Sequence, residues 1–73
     1  MDFGSNLKKL RKAKNLTQES LAECLNVSPR TISKWENGLS MPDVSLLPVL
    51  ADYFQVSVDS LLMHDAAVRQ EEM

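Results

Sequence analysis

The sequence predicts an all-α domain of five short helices. Three observations lead there: residues that cap helices recur along the chain, apolar residues between them repeat at helical spacing, and no segment sustains the period-2 alternation of a strand. Ser5 can cap a first helix with Leu7, Leu10 and Arg11 on one face, and Asn15, tolerant of left-handed backbone, ends it before Leu16 packs the turn. Thr17 is the expected N-cap of a second helix, Gln18 to Leu25, with Glu19 in the first turn, where the helix dipole favours an acid. Asn26 closes that helix. Ser28 caps the third, Pro29 takes its first position, where the missing N–H is no loss, and Asn37-Gly38 supplies the stop. Leu39 to Val44 contains Pro42 and reads as a loop. With Ser45 as N-cap of a fourth helix, Pro48 falls at the third helical position among N–H groups that have no intrahelical partner. That helix runs through Phe54, with Leu47, Leu50, Ala51 and Phe54 inward. Ser57 caps a last short helix bearing Val58, Leu61 and Leu62, and a polar tail begins at Met63. The expected organisation is one domain over residues 5–62 followed by a tail, 63–73.

Size and composition bound the function. A chain of 73 residues, 44% hydrophobic and 25% charged, suits one globular domain with a thin core. The longest apolar stretches, such as Leu46 to Ala51, fall far short of the roughly 20 residues that cross a bilayer, and no signal-peptide pattern opens the chain. A cytoplasmic protein with no membrane partner is expected. Cys24 is the single cysteine, so the chain can form neither an internal disulfide nor a cysteine-rich zinc site, and an inert, semi-buried thiol is expected there. His64 beside Asp65 does not make a metal site, so neither metal nor cofactor is expected. No nucleophile with a base, acid–base pair or phosphate-cradling glycine loop stands out, which argues against an enzyme. Nor is there room for a separate small-molecule-binding domain.

The net charge of −2 conceals a division. Residues 1–34 hold seven basic side chains against three acidic ones, a net of +4, while residues 35–73 hold one against seven, a net of −6. Such asymmetry suits a protein with one anion-facing side. Lys8 to Lys14 taken alone reads equally well as the solvated face of a helix.

Residues 18–37 carry the informative motif. Leu21, Leu25, Val27, Ile32 and Trp35 are apolar, and a single small residue, Ala22, stands among them. Two short helices that cross steeply need a small side chain at their contact and a tight turn, supplied here by Ala22 and Asn26. Trp35 completes the apolar set and is expected in the core. With Leu16-Thr17-Gln18-Glu19, Leu21-Ala22, Val27-Ser28, Thr31 to Gly38, Pro42-Asp43, Leu50-Ala51, Phe54 and Val56 to Asp59 with Leu61-Leu62, the chain resembles the helix-turn-helix family of the phage repressor and Cro type, also called the xenobiotic-response-element family. The similarity runs from about Leu7 to Leu62. Two departures stand out. Asn26 occupies a turn position that often holds glycine, a benign change because Asn reaches the left-handed region at modest cost. The loop Leu39 to Asp43 lacks the basic residues of some phage relatives, which implies fewer phosphate contacts.

The resemblance implies a compact repressor-like fold and a sequence-specific transcriptional regulator, a repressor by expectation, that inserts the helix Ser28 to Asn37 into the major groove of double-stranded DNA. A helix fits that groove, and the exposed residues near its N-terminus reach base edges. By resemblance, Pro29, Arg30, Thr31 and Lys34 match base-facing positions, and Thr17, Gln18, Ser28 and Asn37 match phosphate-facing ones. The chemistry agrees: Arg30 and Lys34, four apart, can donate to guanine O6 and N7, and Pro29 offers an apolar edge to a thymine methyl. Arg11 and Glu36 occupy family positions that meet as an ion pair. One short helix reads few base pairs, so a homodimer on DNA is expected, with Met41, Leu47 and Val58 as its apolar patch. The alternative is a protein-interaction module, such as an antitoxin or adaptor, with DNA binding secondary.

Overall fold

A computed structural model describes residues 3–62, and the expected polar tail with His64 lies outside the described residues. Five α-helices follow one another: α1 (Phe3–Ala13), α2 (Gln18–Leu25), α3 (Pro29–Glu36), α4 (Leu47–Phe54) and α5 (Val58–Leu62), with a 3₁₀ turn at Val44–Leu46 leading into α4. The described residues contain no strand, and the all-α class read from the sequence holds. Helix α3 packs against both α1 and α2, while α5 joins α1 to α4. One apolar cluster results, formed by Phe3, Leu7, Leu21, Ala22, Leu25, Ile32, Trp35, Leu50, Ala51, Phe54 and Leu61.

Four of the five helices end in the same way. Asn15, Asn26, Gly38 and Gln55 each adopt positive φ, between 57° and 75°. In each case the next residue's N–H reaches back to the last turn, Leu16 to the Arg11 carbonyl, Val27 to Ala22, Leu39 to Lys34 and Val56 to Ala51, at 2.8–3.1 Å. This is the Schellman closure, in which a left-handed residue turns the chain and an apolar residue follows it. Leu16, Val27 and Val56 pack against the core, whereas Leu39 stays 73% exposed.

Two boundaries differ from the sequence reading. Helix α1 starts at Phe3, so Ser5 is an exposed residue inside it and not its cap. The reason is packing: Phe3 is buried in the core, and Gly4 lies so close to α3 that a Cβ there would stand 2.5 Å from the Trp35 carbonyl oxygen and 2.7 Å from that of Glu36. The fourth helix is not capped by Ser45. Asp43 takes that role for the 3₁₀ turn, its carboxylate accepting from the Ser45 N–H at 3.1 Å and the Ser45 hydroxyl at 2.6 Å. Those bonds hold the Asp43 carboxyl below the usual carboxylate range, the hydroxyl contributing most. Helix α4 then begins at Leu47 and Pro48 is its second residue, still among N–H groups without an intrahelical partner. Finally, Leu61 is fully buried while Leu62 is exposed, because a helix of five residues turns only part of its face inward.

Candidate nucleic-acid interface

The interface is built on two capped helices and the turn between them. The Thr17 side chain accepts from the Ser20 N–H at 3.0 Å and starts α2, and the Ser28 side chain accepts from the Thr31 N–H at 3.2 Å and starts α3. Each cap satisfies one of the donors that a helix start leaves without an intrahelical partner. Asn26, with φ of 61°, turns the chain between them, and Ala22, only 1% exposed, lets α2 and α3 approach. On α3 only Ile32 and Trp35 are buried. Pro29, Arg30, Lys34 and Asn37 are exposed, and Thr31 is half-buried. Arg30 and Lys34 therefore share one open face, one helical turn apart.

A buried polar network braces this face from behind. Arg11 donates through Nε to Glu36 Oε2 at 2.6 Å and through Nη2 to Oε1 at 3.1 Å, and its Nη1 reaches the Leu16 carbonyl at 2.8 Å. The Arg11 and Glu36 side chains are 10% and 2% exposed. The hydrogen bond to Glu36 raises the Arg11 pKa further, so the guanidinium is charged at every working pH. Gln18 joins the network, its Nε2 donating to Glu36 Oε1 at 3.0 Å. One side-chain cluster thus ties α1, the start of α2 and the end of α3, and no buried side-chain nitrogen or oxygen among the described residues lacks a partner.

The residues expected to face phosphates are all engaged within the protein. The Thr17 hydroxyl donates to Ser20 Oγ at 3.0 Å, the Ser28 and Thr31 hydroxyls share a hydrogen bond at 2.9 Å, and Asn37 Nδ2 donates to Ser33 Oγ at 3.4 Å. Gln18 is half-buried through its bond to Glu36. Sequence reasoning placed Gln18 at the surface contact and overlooked that bond, since no local pattern announces a contact between residues 18 apart.

Elsewhere, Met41 is exposed, whereas Leu47 and Val58 are half-buried against the core. The other large apolar side chains exposed among the described residues are Leu39, Val44, Val49 and Leu62. The expectation of a semi-buried thiol fails: Cys24 is exposed at the flank of the buried face of α2, with its sulfur 3.4 Å from the Tyr53 hydroxyl. That contact raises the Tyr53 pKa. The Lys14 ammonium lies 5.6 Å from the Tyr53 ring centre. Among the described residues, no group of three potential metal-binding side chains comes together.

Two capped helices, a left-handed turn, a small residue at their contact and an outward-facing second helix define a helix-turn-helix domain. The chain belongs to the helix-turn-helix family, with residues 7–61 matched, and to its phage repressor and Cro type. It is 43% identical over 72 residues to the HTH-type transcriptional activator BcrR of Enterococcus faecalis, covering 99% of this chain and 35% of that protein. Against the antitoxin PezA of Streptococcus pneumoniae it is 32% identical over 70 residues, covering 96% of this chain and 44% of PezA. The chain thus spans less than half the length of either relative. Among solved structures it superposes on the P22 c2 repressor, held there in complex with a synthetic operator, with a TM-score of 0.81 and 31% identity, covering 89% of this chain and 98% of that one.

Proposed function

We propose that this chain is the DNA-reading part of a sequence-specific transcriptional regulator, a repressor that works by occupying an operator rather than by chemistry. The observation that carries the reading is the open face of α3, where Arg30 and Lys34 stand one turn apart on a helix whose opposite side is locked into the core. Pro29, Arg30, Thr31 and Lys34 meet base edges, and Thr17, Gln18, Ser28 and Asn37 set the register on the phosphates. The likeness to a repressor in complex with its operator supports the same docking. The protein acts in the cytoplasm, alongside the DNA; none of the described helices is long and apolar enough to cross a membrane. On DNA it pairs with a second copy through an apolar patch around Met41, Leu47 and Val58, which the exposed Leu39, Val44 and Val49 extend.

Selection from a random duplex pool, followed by binding assays on the enriched site, tests this. Arg30→Ala is expected to weaken the best site by about 1–3 kcal/mol and to flatten preference at one base pair. Equal weakening on every sequence would make Arg30 a phosphate contact. The similarity to an antitoxin favours a second reading, in which the fold contacts a partner protein and DNA binding is weak. That reading requires affinity for random duplex to show no dependence on salt.

A further inference from the structure

We propose that Lys12, on α1 outside the helix-turn-helix itself, is a phosphate-contacting residue of the interface, an inference that rests on the DNA-binding reading above. Lys12 borders a surface recess at the α1–α2 turn together with Asn15, Thr17, Gln18 and Glu19. Thr17 and Gln18 are the residues expected to hold a phosphate there, yet both are neutral and both have protons directed inward. The Thr17 hydroxyl donates to Ser20 Oγ, and one Gln18 amide proton goes to Glu36. Arg11 also borders the recess, but its Nε and Nη2 meet Glu36 and its Nη1 meets the Leu16 carbonyl. Its charge is already paired.

The Glu19 carboxylate on the same rim opposes an incoming phosphate. A cation is needed to offset it, and among the described residues the cations that border the recess are Arg11 and Lys12. Lys14 sits over the Tyr53 ring, Lys9 borders a different cleft, formed with α5 by Asn6, Leu10, Val56 and Ser60, and Arg30 and Lys34 belong to α3. Lys12 is exposed, and among the described residues its ammonium has no hydrogen-bond or ion-pair partner. A strongly hydrated point charge with three donors is suited to a phosphate that the neighbouring groups approach only with neutral dipoles.

The experiment measures affinity against salt on a short random-sequence duplex and on the selected site, for the unaltered chain, Lys12→Ala, Lys12→Arg and Lys9→Ala. Each neutralised phosphate contributes about 0.9 to the slope of log affinity against log salt. Lys12→Ala is expected to lower that slope by about 0.9 and to weaken both duplexes by the same factor. Lys12→Arg keeps the slope. Lys9→Ala removes the same charge one turn earlier on α1, at the other cleft, and leaves the slope unchanged. Helical circular dichroism confirms folding of each variant. A slope unchanged in Lys12→Ala, or lowered equally in Lys9→Ala, overturns the assignment while leaving the DNA-binding reading intact. An unaltered chain with no salt dependence overturns both.

Discussion

Glu36 has only 2% of its side chain exposed and accepts three hydrogen bonds, two from Arg11 and one from Gln18. Glu36→Ala would strand the Arg11 guanidinium in a site it cannot leave without pulling α1 away from α3. Removing one partner of a buried pair costs about 3–5 kcal/mol, against about 0–1 for a surface pair, so the burial decides the magnitude. The expected result is a large fall in denaturant midpoint, and an unchanged midpoint would mean that water already reaches both groups. Gly4 tests packing with the opposite prior. In a helix interior Gly→Ala normally gains about 0.5–1 kcal/mol. Here the new methyl carbon would stand 2.5 Å from the Trp35 carbonyl oxygen, a backbone atom that cannot swing aside. Gly4→Ala is therefore expected to lower the midpoint, through a stability loss of about 1–3 kcal/mol as for other overpacked sites; a raised midpoint would show that α1 can shift without loss. The Arg11–Glu36 pair was legible in the sequence because the family resemblance places an ion pair at those two positions. Gly4 was not, because a close approach between segments more than 30 residues apart leaves no local pattern, and the hydroxyls of Thr17 and Ser28 were read as outward donors because their partners Ser20 and Thr31 compete only once the helices form.

The helices themselves were read from their punctuation, and the reading succeeded where the chemistry of a residue matches its backbone. Asn15, Asn26 and Gly38 are residue types that enter the left-handed region readily, and each marks a helix end. Gln55 adopts the same geometry, φ 57° and ψ 47°, without any such preference, so the end of α4 was inferred only from the end of the apolar pattern at Phe54. The boundary between loop and α4 misled for a similar reason. Asp43 and Ser45 are both capping residues, and only the structure shows the Ser45 hydroxyl bonded to Asp43. The strain at Gln55 makes a prediction at this scale. A non-glycine residue in the left-handed region costs roughly 1–2 kcal/mol, part of which glycine returns as lost chain entropy. Gln55→Gly should raise the unfolding free energy by about 0.5–1 kcal/mol, whereas Asn26→Gly should shift it by only a few tenths, since Asn already tolerates the turn. Thermal or denaturant melts of the two variants side by side check this. If both substitutions moved stability equally, the closure at α4 would be held by Val56 packing and not limited by Gln55.

At the scale of the whole molecule, the division of charge acquires a physical sense. Of the basic residues of the first half, Lys8, Lys9, Arg11 and Lys12 lie on α1, Lys14 just after it, and Arg30 and Lys34 on α3, while α4 and α5 contribute only Asp52 and Asp59 as charged residues. One side can approach phosphates while the other repels them, which orients the domain before any base is read. Orientation alone gives too little discrimination, because a single α3 reaches only a few base pairs in a genome of competing sites. Two copies related by a two-fold axis double the reading. The patch available to join them is small. Leu39 and Val44 are 73% and 76% exposed, Met41 and Val49 about half, and Leu47 and Val58 are already partly turned into the core. A stable interface buries roughly 1,000 Å² or more, and with so few open apolar side chains to supply it the chain is expected to stay monomeric in free solution and to pair when DNA holds two copies side by side. Both α3 helices face the same side of the duplex when half-sites are about 10 base pairs apart, one helical turn. Binding to a full site should then be cooperative, and Val44→Asp, which sets a charge within the patch, should remove the cooperativity while leaving affinity for a lone half-site unchanged. Inserting about five base pairs between the half-sites, half a turn, carries one copy to the far side of the duplex and should have the same effect on the unaltered protein. Titration of the half-site, the full site and the extended site in a shift assay separates the cases, and equal affinity per half-site on all three would mean that each copy binds alone.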